Sequence, residues 1–216
     1  MKESRPRLKQ QIKFSLNASK ELKSLLPIFK KLRSVHQAYI DGEDGEDCPY
    51  WFSERPQVGL LAAAVWRSGG TALEEYGAHK RRAKDVEITR GRCDLWIRTR
   101  EAGFECEAKQ LWLNMGNLRT KTPELVEKVF EHKKDGLKSA ISDVKRLKRS
   151  KGLALCFVLP VIQTQKFHRL EPYLHKWVKL VKRESYWDAF IWIQQNPPLG
   201  RKTKHPGLLL IIKEVK

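Results

Sequence analysis

Cysteine is scarce in this chain and poorly spaced for anything but packing. Cys48, Cys93, Cys106 and Cys156 form no CxxC pair and fall mostly inside apolar segments, where a free thiol behaves as a small hydrophobe. That excludes a disulfide framework and a structural zinc. Among the six histidines there is no HExxH-type pattern, and His168 and His175, seven apart on an expected helix, miss the usual zinc-ligand spacings. Long apolar runs are missing too: the longest, near VGLLAAAVW, is too short to span a bilayer, so no membrane partner is expected. The opening residues MKESRPRLKQ are charged and lead into no apolar core or small-residue cleavage site, so no secretory signal is expected and the expected location is cytoplasmic. The acidic run DGEDGED at 41–47 lacks the ligand and glycine positions of an EF-hand loop; this disfavours calcium and leaves a solvated linker able to shield or mimic phosphate.

Positive charge is what the chain has in excess: 43 Lys and Arg against 25 Asp and Glu, a net +18. A domain this basic repels itself unless it meets a polyanion, and nucleic acid is the commonest one, because neutralising phosphates releases counterions. The plainer alternative is a merely soluble basic protein or a ribonucleoprotein subunit. Hydrophobic residues at 41% and aromatics at 9% exclude a disordered chain, and 216 residues suffice for one sizeable core. One domain over 1–216 is therefore expected: an N-terminal helix and acidic linker (1–50), a core (71–160) and an extension of the sheet (161–216).

Leu22, Leu25, Leu26, Phe29, Leu32, Val35 and Tyr39 recur at helical steps and predict an amphipathic helix over 19–40, with Lys20, Lys23, Lys30, Lys31 and Arg33 on its other face. Ser53 followed by Pro56 starts a second helix that runs through VGLLAAAVW to Gly69 and Gly70. Thr71 then has the form of the N-cap of a short third helix, with Glu74 in capping-box position, which leaves Glu75 without a local task. Three strands follow, DVEIT, CDLWIRT and FECEAKQLWL. Thr122-Pro123-Glu124 opens a helix to Lys148, which Asp135-Gly136 either kinks or splits. GLALCFVLP is a strand buried on both faces; a basic helix at 170–183, the strand AFIWIQQ, the loop NPPLGRKTKHPG and the strand LLLIIKEV complete the chain. The expected fold is α/β, a central mixed β-sheet flanked by helices.

The stretch GRCDLWIRTREAGFECEAKQ stands apart, because its two strands carry charges among apolar residues. Asp94 shares a strand face with Trp96, and Glu105, Glu107 and Lys109 share one in the next strand. A turn near Arg100 to Gly103 brings Asp94 roughly opposite Glu107. Two facing carboxylates repel unless protonated or shared by a cation, and oxygen donors with few partners suit Mg2+ or Mn2+. A neighbouring lysine can orient water and offset charge growing on a phosphate, a set suited to phosphodiester hydrolysis.

GRCD followed one strand later by ECEAK resembles the PD-(D/E)xK nuclease superfamily, and the order helix, three strands, helix, strand over 71–160 resembles its restriction-endonuclease-like αβββαβ core. The resemblance implies a magnesium-dependent endonuclease or exonuclease acting on DNA. It implies Asp94 and Glu107 as metal ligands, the Ala108 carbonyl as a further oxygen, Lys109 beside the attacking water, and a glutamate of the preceding helix, Glu75 with Glu74 as fallback. Cys93 stands where the family has proline, at a position that does not ligate metal, and no Q-x-x-x-Y follows, so the RecB-like branch is not supported. Gln110 falls on the opposite face of a regular strand.

Lys80, Arg81, Arg82, Lys84, Arg90 and Arg92, with Arg201, Lys202 and Lys204 of GRKTKH, are the expected phosphate contacts. No separate reader motif is visible, so specificity falls to the loops, to a second copy of the chain or to a protein partner. Two alternatives stand beside DNA cleavage: a non-catalytic nucleic-acid binder or complex subunit of the same fold, and an RNA-directed nuclease. In the plainest case Asp94 and Lys109 form an ordinary cross-strand ion pair, and Glu105 and Glu107 face solvent beside Arg98.

Overall fold

The computed structural model describes residues 8–43, 47–81, 88–147, 151–194 and 203–215. In chain order the elements are β1 (Lys9–Phe14), α1 (Lys20–Lys23), α2 (Leu26–Gly42), α3 (Glu54–Trp66), β2 (Thr71–Arg81), β3 (Ile88–Arg98), β4 (Gly103–Asn114), α4 (Leu118–Glu131), α5 (Leu137–Val144), β5 (Gly152–Gln163), α6 (Phe167–Val181), β6 (Ala189–Gln194), β7 (Thr203–Lys204) and β8 (Gly207–Val215). Seven strands form one curled mixed sheet in the order β1-β6-β8-β5-β4-β3-β2, and β7 pairs with the end of β5. The β4–β5 pair is parallel and the others are antiparallel.

Helices cover both faces, as the sequence implies. On one face, Leu22, Phe29 and Leu32 from the N-terminal helices and Leu61 and Val65 of α3 pack on Leu95, Phe104, Leu155 and Ile191. On the other, Val129 of α4, Leu137 of α5 and Trp177 of α6 pack on Leu111, Cys156, Val158 and Ile211. β5 is buried along both faces, which accounts for its unbroken apolar run.

Two local expectations change, and two further segments gain an assignment. The helix expected over 19–40 is broken into α1 and α2, because Pro27 has no N–H to continue the ladder; the apolar stripe stays on the core side all the same. The charged segment at 9–14 is a strand: it pairs along β6, turns Ile12 and Phe14 toward the core, and leaves Lys9, Gln11 and Lys13 exposed on the sheet edge. Asp135-Gly136 splits the long helix into α4 and α5. The largest correction concerns Thr71, which begins β2 and caps no helix. Gly69, at φ 79°, turns the chain, and Gly70 lies so close to the Arg98 carbonyl and Val65 that a Cβ would meet both at 2.9 Å. From there β2 pairs with β3 from Thr71↔Arg98 to Arg81↔Ile88. Ten cross-strand partners outweigh the local capping-box signal. Of DVEIT, Ile88 and Thr89 open β3, and 85–87 lie outside the described residues. The helix before the three strands is thus α3, and the order helix, three strands, helices, strand runs from α3 to β5.

Candidate active site

Thr99 closes the β3–β4 turn: its N–H donates to the Ala102 carbonyl at 2.7 Å, and its Oγ1 accepts from the N–H groups of Glu101 and Ala102. The ladder then runs from Arg98↔Gly103 to Leu95↔Cys106 and stops. One further step in this register sets Asp94 against Glu107, the juxtaposition the sequence implies. In place of a backbone partner, Asp94 Oδ2 accepts the Ala108 N–H at 2.8 Å. The N–H and C=O of a strand residue point to the same edge, so the Ala108 carbonyl is turned toward the same gap. Across Asp94 on its other side lies Glu75 of β2, between the pairs Glu74↔Leu95 and Tyr76↔Cys93, with a left-handed φ of 51°. Such a kink in a strand beside a break in the next ladder is the kind of irregularity that gathers at functional sites.

Charge accumulates at this break. Glu107 is only 2% exposed. Burial, reinforced by Asp94 and Asp143, pushes its carboxyl up from 4.5 to about 7, against the pull of Lys80. Lys80 Nζ lies 2.7 Å from Glu107 Oε1. It reaches there because the sheet curls, bringing the end of β2 against Leu147 just past α5. Lys109, two residues along β4, places Nζ 2.8 Å from Asp143 Oδ2 on α5. Burial alone would lower the Lys109 ammonium, but Asp143, Glu54 and Asp94 together hold its pKa above the ordinary value. Glu105, one step back, accepts the Tyr76 hydroxyl at 2.6 Å, and burial together with that carboxylate pushes the Tyr76 pKa up.

The glutamate that joins this group is Glu54, not Glu75. Glu75 lies on a strand, and its carboxylate is held by Arg55 at 3.2 Å and Arg92 at 3.3 Å. Glu74, the fallback, turns toward Gly59 of α3. Glu54 is the first residue of α3, and its carboxylate feels both Lys109 and Asp94 while accepting the Gln110 backbone N–H. Burial pushes Glu54 up to about 7, with Asp94 and Asp135 adding to the rise. Gln110 does lie on the face opposite Lys109, as expected of a regular strand, and from there its Nε2 donates to the Phe52 carbonyl at 2.7 Å. Side chain and backbone of Gln110 together fasten the start of α3 onto β4. An acidic residue in the first turn of a helix already has a dipole explanation, which conceals Glu54 in the sequence.

Of the expected phosphate contacts, Lys80 is drawn inward to Glu107 and Arg92 is paired with Glu75, while Arg90 is exposed on β3. Arg81 closes β2 and Lys204 closes β7; Arg82, Lys84, Arg201 and Lys202 lie outside the described residues. Among the described residues no group of three or more His, Cys, Asp or Glu is set to hold a metal ion. The oxygen groups nearest the ladder break are the Asp94 and Glu107 carboxylates with the Ala108 carbonyl, and these are the residues that would hold a hard divalent cation such as Mg2+ or Mn2+. No helix among the described residues is long and apolar enough to cross a membrane. Comparison of the chain with protein-family models, curated proteins and solved structures gives no match.

Proposed function

We propose that this chain is a metal-dependent nuclease that hydrolyses DNA phosphodiester bonds by water attack, on a restriction-endonuclease-like core running from α3 to β5. One observation carries the reading: Glu54, Asp94, Glu107 and Lys109, from a helix and two adjacent strands, converge where the β3–β4 ladder stops. Glu107 and Lys109 each keep an ion-pair partner, Lys80 and Asp143, and what favours a reactive site is the gathering of two buried carboxyls pushed up to about 7 beside them.

Asp94, Glu107 and the Ala108 carbonyl would hold Mg2+ or Mn2+, which when bound supplies Lewis-acid polarisation of the phosphate and neutralises its charge. The chain's own groups do the rest. Glu54, with a pKa near neutrality, accepts the proton of the attacking water. The Lys109 ammonium stabilises negative charge growing on the phosphoryl oxygens as the new O–P bond forms and the P–O bond to the leaving strand breaks. Asp143 holds Lys109 in place at 2.8 Å.

Calorimetric titration of Mg2+ and Mn2+ into wild type and Glu107→Ala, with labelled DNA cleavage on the same samples, tests this directly. Heat and cutting that both vanish in the variant are expected. Wild-type protein that binds DNA but cuts no duplex, single-stranded, branched or RNA substrate with either metal would sink the proposal in favour of a non-catalytic binder.

A further inference from the structure

Past Lys109, β4 carries Gln110 and then Trp112 on the same face. Trp112 is 46% exposed and Phe52, whose carbonyl Gln110 holds, is 47% exposed. This contrasts with Trp177, Trp187 and Trp192, which are buried in the core. The Trp112 indole is nonetheless fixed. It meets the ring of buried His205 edge to face at 5.5 Å, and His205 packs on Trp51 at 5.8 Å. β7 anchors His205 from the other side, because Thr203 and Lys204 pair with Gln163 and Ile162 at the end of β5. The exposed Trp112 ring therefore stands on a rigid base, about 10 Å along β4 from Lys109 and on the opposite face of the strand, with the exposed Phe52 tied to that same face through Gln110.

We propose that Trp112 and Phe52 form a stacking platform for an unpaired nucleobase, so that the strand to be cut enters as single-stranded or locally opened nucleic acid. The inference deepens the nuclease reading and rests on it for the position of the scissile phosphate. Charge decides the occupant: an apolar partner protein would gain nothing from a net charge of +18, whereas a nucleic-acid strand uses that charge for its backbone and the rings for its bases. Every base has a π-face, so the platform accepts any sequence. A duplex keeps its bases stacked on one another and cannot use it.

The test is fluorescence anisotropy with labelled oligo-dT, oligo-rU and a blunt DNA hairpin, in EDTA so that nothing is cut, on wild type, Trp112→Leu, Trp112→Phe and Phe52→Leu. Cleavage is scored separately with Mg2+, with Glu107→Gln as the control. Wild type is expected to favour oligo-dT over the hairpin, and Trp112→Leu and Phe52→Leu each to weaken single-strand binding by about tenfold. Trp112→Phe, which keeps a π-face, should stay close to wild type. Tighter oligo-rU binding with the same Trp112 dependence supports the platform and moves its substrate to RNA. Folded Trp112→Leu and Phe52→Leu that bind single strands as tightly as wild type overturn the platform, as does a wild type that prefers the hairpin. Trp112-dependent binding with no cutting of any substrate leaves the platform standing and removes the nuclease.

Discussion

At the scale of the residue, Glu54 shows which of two opposing effects wins. Its place in the first turn of α3 favours the ionised form through the helix dipole. Burial and the neighbouring Asp94 favour the neutral form and prevail, giving a pKa of about 7. A base must be ionised to accept a proton, so cleavage is expected to fall as pH drops through about 7 and to level off above it. Glu54→Gln should lower kcat by about a hundredfold or more, on the scale of general-base loss, with DNA affinity kept; a pH–rate profile that still breaks near 7 in this variant would assign the limb to Glu107. Glu107 also sets a stability trend. Its folded-state pKa is raised from 4.5 to about 7, so the native state favours the protonated carboxyl, and its contribution to stability is full below 4.5 and lost as pH rises to about 7. Thermal melts should show wild type losing stability between those values, with a flatter dependence in Glu107→Gln. Mg2+ at pH 8 should restore part of the loss by binding only the folded site.

At the scale of the element, what was legible in the sequence and what was not divide along physical lines. β5, β6 and β8 are apolar runs rich in β-branched and aromatic residues, and they form buried strands. α3 and α6 carry their own start signals or stripes, and the β3–β4 hairpin fixes Asp94, Glu107 and Lys109 through its turn length. By contrast, β1 and β2 owe their conformation to neighbours: KQQIKF becomes a strand by pairing with β6, and TALEEY by pairing with β3. Because TALEEY reads locally as a helix, the helix preceding the three strands is displaced by one element in the sequence, and Glu75 takes the place that α3 gives to Glu54. Lys80 and Asp143 were hidden for a related reason, because only the curl of the sheet and the docking of α5 bring them to Glu107 and Lys109. The tie between α3 and β4 is testable by itself. Gln110→Leu removes the hydrogen bond to the Phe52 carbonyl and should cost about 1–3 kcal/mol in denaturant unfolding. It should also shift the acid limb of cleavage, because the start of α3, which carries Glu54, is then held less firmly against β4.

For the whole molecule, the proposed nuclease with its +18 charge is expected to bind its strand chiefly by phosphate neutralisation. Affinity for a long single strand is expected to fall by about 300-fold between 50 and 200 mM salt if six phosphates are contacted, and further with more. A weak salt dependence, measured by anisotropy across that range, would mean that the positive charge lies away from the bound strand. Charge also acts inward. The Lys80 ammonium 2.7 Å from Glu107 is a resident counter-ion, so the protein never has to shelter a bare buried carboxylate when no metal is present. On the proposed nuclease reading, chelation is expected to stop cleavage without unfolding the protein. On that reading a divalent cation arriving at Glu107 would displace an ammonium tethered to the same chain, an exchange that adds one positive charge at the site and would free Lys80 for the phosphate of the substrate.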